Sequence, residues 1–110
     1  MEYTIGKNAV DNHKIILDSQ TNNPNDVWFH LDELSSAHLI FHNTRNQSIS
    51  QLLKRGIIYK FACILKKHCS TKLRKYEMDK INVIYCKVSD IKLGRKIGEV
   101  YAQKHNTIYV

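Results

Sequence analysis

Proline occurs once in this chain, at Pro24, and no stretch repeats or falls to low complexity. Nothing therefore reads as a linker, and 110 residues fit one domain spanning 1–110. Cysteine occurs three times, at Cys63, Cys69 and Cys86, with no CxxC pair. An odd count at those spacings argues against a disulfide framework and a structural zinc finger, and points to reduced thiols. No apolar run approaches the roughly 20 residues that cross a bilayer, so membrane insertion is not expected. The opening MEYTIGKNAV lacks a basic-then-apolar leader pattern, and a cytoplasmic location is expected. Acidic residues are also scarce: ten Asp and Glu face seventeen Lys and Arg, leaving +7. That surplus suits either a polyanionic partner, nucleic acid first, or a plainly solvated basic surface.

The apolar pattern predicts an α+β domain. YTIG reads as a short strand ending at Gly6, and AVDNHKIILD fits a helical turn or a strand. SQTNNPND, Ser19 to Asp26, reads as a loop. VWFHL and HLIFH alternate and read as strands. Ser48 to Cys69 reads as the one main helix, capped by Ser48 or Ser50. Leu53, Ile57, Phe61 and Ile64 recur at helical spacing there, with Leu52, Gly56 and Cys63 widening the face. Lys66, Lys67 and His68 suit the negative end of its dipole. STKLRKYEMDK reads as a polar, basic connection, and KINVIYCKVSDIKL as a strand. EVYAQ and NTIYV read as a terminal hairpin around Lys104 and His105. The expected sum is a mixed, mostly antiparallel sheet of about five or six strands, with one main helix packed on one face.

The stretch DVWFHLDELSSAH, Asp26 to His38, carries the candidate chemistry. Strand alternation puts Trp28 and His30 on one face and Val27, Phe29 and Leu31 on the other. His38, Ile40 and His42 share a face of the next strand. If the two strands pair, His30, His38 and His42 gather near Trp28. Three roles compete for the histidines. They could be structural, bonded to backbone or to Ser35 and Ser36. They could form a nucleic-acid surface on which Trp28 stacks a base. They could bind a metal, although no carboxylate stands at a clear third-ligand spacing. A Ser-His-acid triad lacks its glycine-framed nucleophile elbow. No cofactor or metal is expected.

These same residues resemble a known family. GKNAVDN (Gly6 to Asn12) followed by DVWFHLDELSSAHLIF (Asp26 to Phe41) is similar to the NFACT-R domain. That family shows a glycine-Arg/Lys-Asn loop, then Asp-x-Trp-Phe/Leu-His, then a small-Ser-x-His strand. The likeness is strongest to the small eukaryotic branch that places this domain ahead of a coiled coil, here without the coiled coil. STKLR (Ser70 to Arg74), INVIYCKVSDIKL and KIGEVYAQKHNTIYV resemble later family segments in the same order, with Ile97 where the family has proline. The resemblance implies a nucleic-acid-binding module. In larger proteins such modules belong to ribosome-associated quality control and engage tRNA. In the small branch a DNA-sensing role at a membrane is also described.

Phosphate contacts would come from lysines and arginines in loops. The candidates are Lys7 beside Gly6, then Lys72, Arg74 and Lys75 after the main helix, then Lys92, Arg95 and Lys96 before the last strands. Tyr59, Tyr85, Tyr101 and Tyr109 read as packing residues. The expectation is a non-enzymatic RNA- or tRNA-binding protein, with Trp28, His30 and His38 shaping the recognition face. Trp28 could instead be a buried anchor of the fold. The alternatives are a nuclease or phosphoesterase using His30 and His38 as acid and base, a DNA-binding module, and a module that docks on a ribosome through the terminal hairpin.

Overall fold

The computed structural model of the protein describes residues 2–110. Its order is β1 (Tyr3–Ile5), α1 (Ala9–Asn22), β2 (Val27–Leu31), β3 (Leu39–Phe41), α2 (Ile49–Lys54), α3 (Ile57–His68) and α4 (Ser70–Lys75). There follow β4 (Asn82–Lys87), a 3-10 turn (Val88–Asp90), β5 (Lys92–Leu93), β6 (Val100–Tyr101) and β7 (Asn106–Tyr109). Five strands form one sheet in the order β1-β3-β2-β4-β7, and β5 and β6 form a second, two-stranded sheet. Every pairing is antiparallel. The fold is α+β, as the alternating strands predict.

Alternation in β2 splits the core in two. Val27, Phe29 and Leu31 point to one face and meet Ile58, Phe61, Ala62 and Leu65 of α3. Trp28 points to the other and meets Ile16 of α1, Ile40, Cys86 and Val88. The sheet is thus covered on both faces, by α2–α4 on one side and by α1 with the small sheet on the other. One main helix on one face is corrected on this point. The reason is α1: Asn8 caps it by accepting from Asp11 N at 2.9 Å, and Ile16 is fully buried against the sheet. The helix continues through Asn22, so the first half of SQTNNPND is helical and only its second half is loop.

The long helix is also corrected. Ser48 caps α2 through a reciprocal pair, Gln51 N to Ser48 Oγ and Ser48 N to Gln51 Oε1. The helix then stops at Gly56, whose φ of 72° lies in the left-handed region. Beyond the break the buried face is Ile58, Phe61, Ala62 and Leu65, while Leu53 is 45% exposed. The polar connection after it is α4, a short helix anchored by buried Leu73. The terminal hairpin does not form: β6 pairs with β5 and β7 pairs with β4, in different sheets. Of the four tyrosines read as packing residues, Tyr85 is buried while Tyr59, Tyr101 and Tyr109 are exposed. The three cysteines are free, and among the described residues no helix is long and apolar enough to cross a membrane.

Phe61 packs its ring against Tyr3 and Phe41, at centroid distances of 5.5 and 4.8 Å. Phe61→Ala should lower stability by about 3–5 kcal/mol in urea denaturation. Leu53→Ala, on the face that periodicity alone favours, should stay within about 0.5 kcal/mol.

Candidate nucleic-acid interface

A cavity of about 760 Å³ opens beside the end of β2, the turn into β3 and the start of α1. Its walls bring together Lys7, Trp28, His30, His38 and Lys72, five of the candidate residues. Antiparallel pairing explains part of this. Trp28 stands opposite Ile40 and Phe29 opposite Leu39, which carries His30 alongside His38. The two imidazole rings meet edge to face at 4.7 Å. Trp28 stacks on His30 with rings 8° from parallel and 5.6 Å apart.

His38 is held on three sides. Gly6 N donates to its carbonyl at 2.9 Å, and its own N–H donates to Asn12 Oδ1 at 3.3 Å. The Trp28 indole N–H donates to its Nδ1 at 3.1 Å. That last bond sets the tautomer, because an Nδ1 that accepts leaves the proton on Nε2. Gly6 is required here: a Cβ on it would lie 1.8 Å from Asn12 Oδ1. The GKNAVDN segment thus serves as a brace for the histidine strand. Asn12 was not among the sequence candidates, and its four-residue spacing from the cap Asn8 was the available signal.

Both imidazoles are biased toward neutrality. Burial pushes His38 from the usual 6.5 down to about 3, with the neighbouring His30 adding to the fall. Burial also lowers His30, against opposing pulls from its bond at Leu31 and from the Asp32 carboxylate, while Lys72 adds to the fall. Lys72 reaches the cavity rim and donates to the Ser35 carbonyl. The rim also carries Asp32, Glu33, His68 and His105, none of them sequence candidates.

Three expectations change. Trp28 is only 3% exposed, so it is no open stacking platform and works through its N–H and ring packing. His42 does not join the other histidines. It lies at the far end of β3, with Nδ1 3.2 Å from the buried Asp26 carboxylate and Nε2 2.7 Å from Thr4 Oγ1. The serines do not hold the histidines either: Ser36 Oγ accepts from Leu31 N at 3.2 Å and donates to the Ala37 carbonyl.

The remaining basic candidates spread out. Lys72 and Arg74 are two positions apart on α4, which turns them to different sides. Arg74 and Lys75 are exposed and lie outside the cavity, as do Lys92, Arg95 and Lys96 around the β5–β6 connection. Among the described residues no three His, Cys, Asp or Glu side chains come together as a metal ion would need.

This geometry can be set beside known proteins. The likeness in sequence is to coiled-coil domain-containing protein 25. Identity is 30% over 92 residues with the Mus musculus protein, 82% of this chain and 41% of that one. With the Danio rerio protein it is 32% over 89 residues, 80% of this chain and 39% of that one. The chain therefore spans about two fifths of these curated relatives. In structure it resembles the C-terminal part of the fibronectin/fibrinogen-binding protein from Streptococcus suis, with a TM-score of 0.73 at 14% identity. That match covers 98% of this chain and 40% of the other, and it supports the fold alone. No protein-family model matches the chain.

The depressed imidazole sets a pH dependence. Between about 3 and 6.5 the unfolded chain protonates His38 and the folded chain does not. Stability is therefore full above about 6.5 and falls as pH drops toward 3, by up to about 1.4 kcal/mol per pH unit for this group. Denaturation midpoints at pH 7.5, 6 and 5 should show the decline, and His38→Gln should make it shallower.

Proposed function

We propose that the protein is a nucleic-acid-binding module of NFACT-R type. Its ligand is RNA or tRNA, and its setting is ribosome-associated quality control or translation in the cytoplasm. The observation that carries this reading is the meeting of Lys7 and Lys72, distant in sequence, at the rim of one cavity. Its floor is a neutral, fixed imidazole rather than a plain charged surface. Cations at a rim neutralise phosphates and release counterions, and an uncharged floor with a fixed donor leaves room for a base or sugar edge. Arg74, Lys75, Lys92, Arg95 and Lys96 extend the positive field beyond the cavity and steer a polyanion toward it.

DNA is the alternative polyanion, with the same electrostatics. The His-based nuclease or phosphoesterase is the weaker reading. An imidazole pushed down to about 3 is neutral at pH 7, so it is no imidazolium acid and is too weakly basic to serve as the base. Docking on a ribosome would have to use a surface other than the terminal hairpin, whose strands part into different sheets.

Structured RNA should bind with affinity that falls steeply as salt rises. Lys7→Ala with Lys72→Ala should flatten the log–log salt slope by roughly one to two units, at about 0.7 to 0.9 per phosphate contact. Arg74→Ala should act less on affinity, because it stands outside the cavity. Electrophoretic or fluorescence titrations at several salt concentrations check this. Unchanged affinity and slope in the double variant would remove the cavity rim from the interface.

A further inference from the structure

We infer that the cavity takes one unstacked base of a single-stranded nucleic acid, with the adjoining phosphate at Lys7 and Lys72. The inference rests on the nucleic-acid reading above and adds what occupies the cavity. It starts from a ring donor on the cavity wall that no protein group uses. His38 is only 5% exposed, its Nδ1 is taken by Trp28, and its Nε2–H has no partner among the described residues. The buried side-chain atom left without a partner among the described residues is His13 Nδ1, so His38 Nε2–H is open to the cavity and free to donate to an acceptor from outside.

The chemistry of that acceptor follows from its surroundings. His30 meets the His38 ring edge to face, Trp28 stacks behind His30, and Ala37, Val100 and Ala102 complete a largely uncharged interior. Such a floor desolvates what enters, which suits a flat neutral group and disfavours a phosphate. A nucleobase is flat, neutral and rich in carbonyl and ring-nitrogen acceptors. The volume of about 760 Å³ lies within the range of small-ligand sites. A base paired in a duplex cannot present itself there, so the ligand is single-stranded or has a splayed nucleotide.

Charge at the mouth orients the chain. Asp32 and Glu33 line the cavity and repel phosphate, while Lys7 and Lys72 line it as cations. Lys7 also lies just before the capped start of α1, whose positive end adds to the attraction. The site is rigid before binding. His38 is fixed through Gly6, Asn12 and Trp28, so little ordering is needed when a base arrives.

The test compares a short single-stranded oligonucleotide, as RNA and as DNA, with the same backbone carrying abasic sites throughout. The RNA and DNA arms distinguish the two sources of the base. The intact strand should bind roughly five- to hundredfold more tightly than the abasic one, with a similar salt slope. It alone should shift the emission of Trp28, the only tryptophan, and the NMR signal of the His38 Nε2–H. His38→Phe, if folded, should bring the two affinities together, and His38→Gln, which keeps an N–H donor, should restore part of the difference. Equal binding of both strands, with neither signal moved, would overturn the base site while leaving the electrostatic reading in place. Failure of both strands, in both sugars, to bind at low salt would overturn the two together.

Discussion

The hydrogen bond from the Trp28 indole to His38 Nδ1 is the contact on which the candidate site depends. It joins two neighbouring strands through their side chains and fills the indole donor, which would be costly to leave empty in a core. It also selects one tautomer of His38 and so determines what the cavity wall offers. Without it the imidazole could rotate or exchange its proton, and the wall would have no defined polarity. A tryptophan this buried contributes packing first, yet its single N–H carries the chemical consequence.

The brace around that contact is built from backbone. Gly6 lets the chain pass so close to Asn12 that no other residue fits, and this closeness brings the Asn12 carbonyl to the His38 N–H. The first strand and the first helix therefore support the site as much as they close the sheet. The far end of β3 has its own polar anchor. Asp26 accepts from Ser19 Oγ and Asn43 N and pairs with His42, which reaches Thr4. Buried carboxylates require such partners, and here they tie α1, β2 and the edge strand into one frame.

Burial and charge are divided in space. The floor is built from buried imidazoles that burial holds neutral, while the lysine ammonium groups line the cavity, Lys72 donating to the Ser35 carbonyl. That division is what a ligand with a charged backbone and neutral side groups requires. The relatives by sequence are more than twice as long as this chain, so what their remaining length does is a separate matter from this cavity.

The period of the side chains was enough to place β2, β3 and β4 and to separate Val27, Phe29 and Leu31 from Trp28 and His30, because a strand's two-residue repeat is local. It was also enough to mark His30 and His38 as neighbours if those strands paired. The helix break at Gly56 and the rotation that exposes Leu53 were not legible, since Leu, Ile and Cys occupy nearly every side of that segment and packing chose among them. AVDNHKIILD remained open between helix and strand for the same reason: its apolar residues suit either, and the Asn8 cap and the second sheet face decided for helix. The parting of Val100–Tyr101 from Asn106–Tyr109 was equally hidden, because adjacency suggests a hairpin and only the long-range pairings to β5 and β4 oppose it. Residue type and order alone determined the basic balance, the antiparallel strands and the histidine pair. Only tertiary structure could decide that Trp28 is buried, that Lys7 and Lys72 line one cavity, and that His42 turns to Asp26. Each of those depends on which distant backbone fills the space around a side chain, and no local period encodes that.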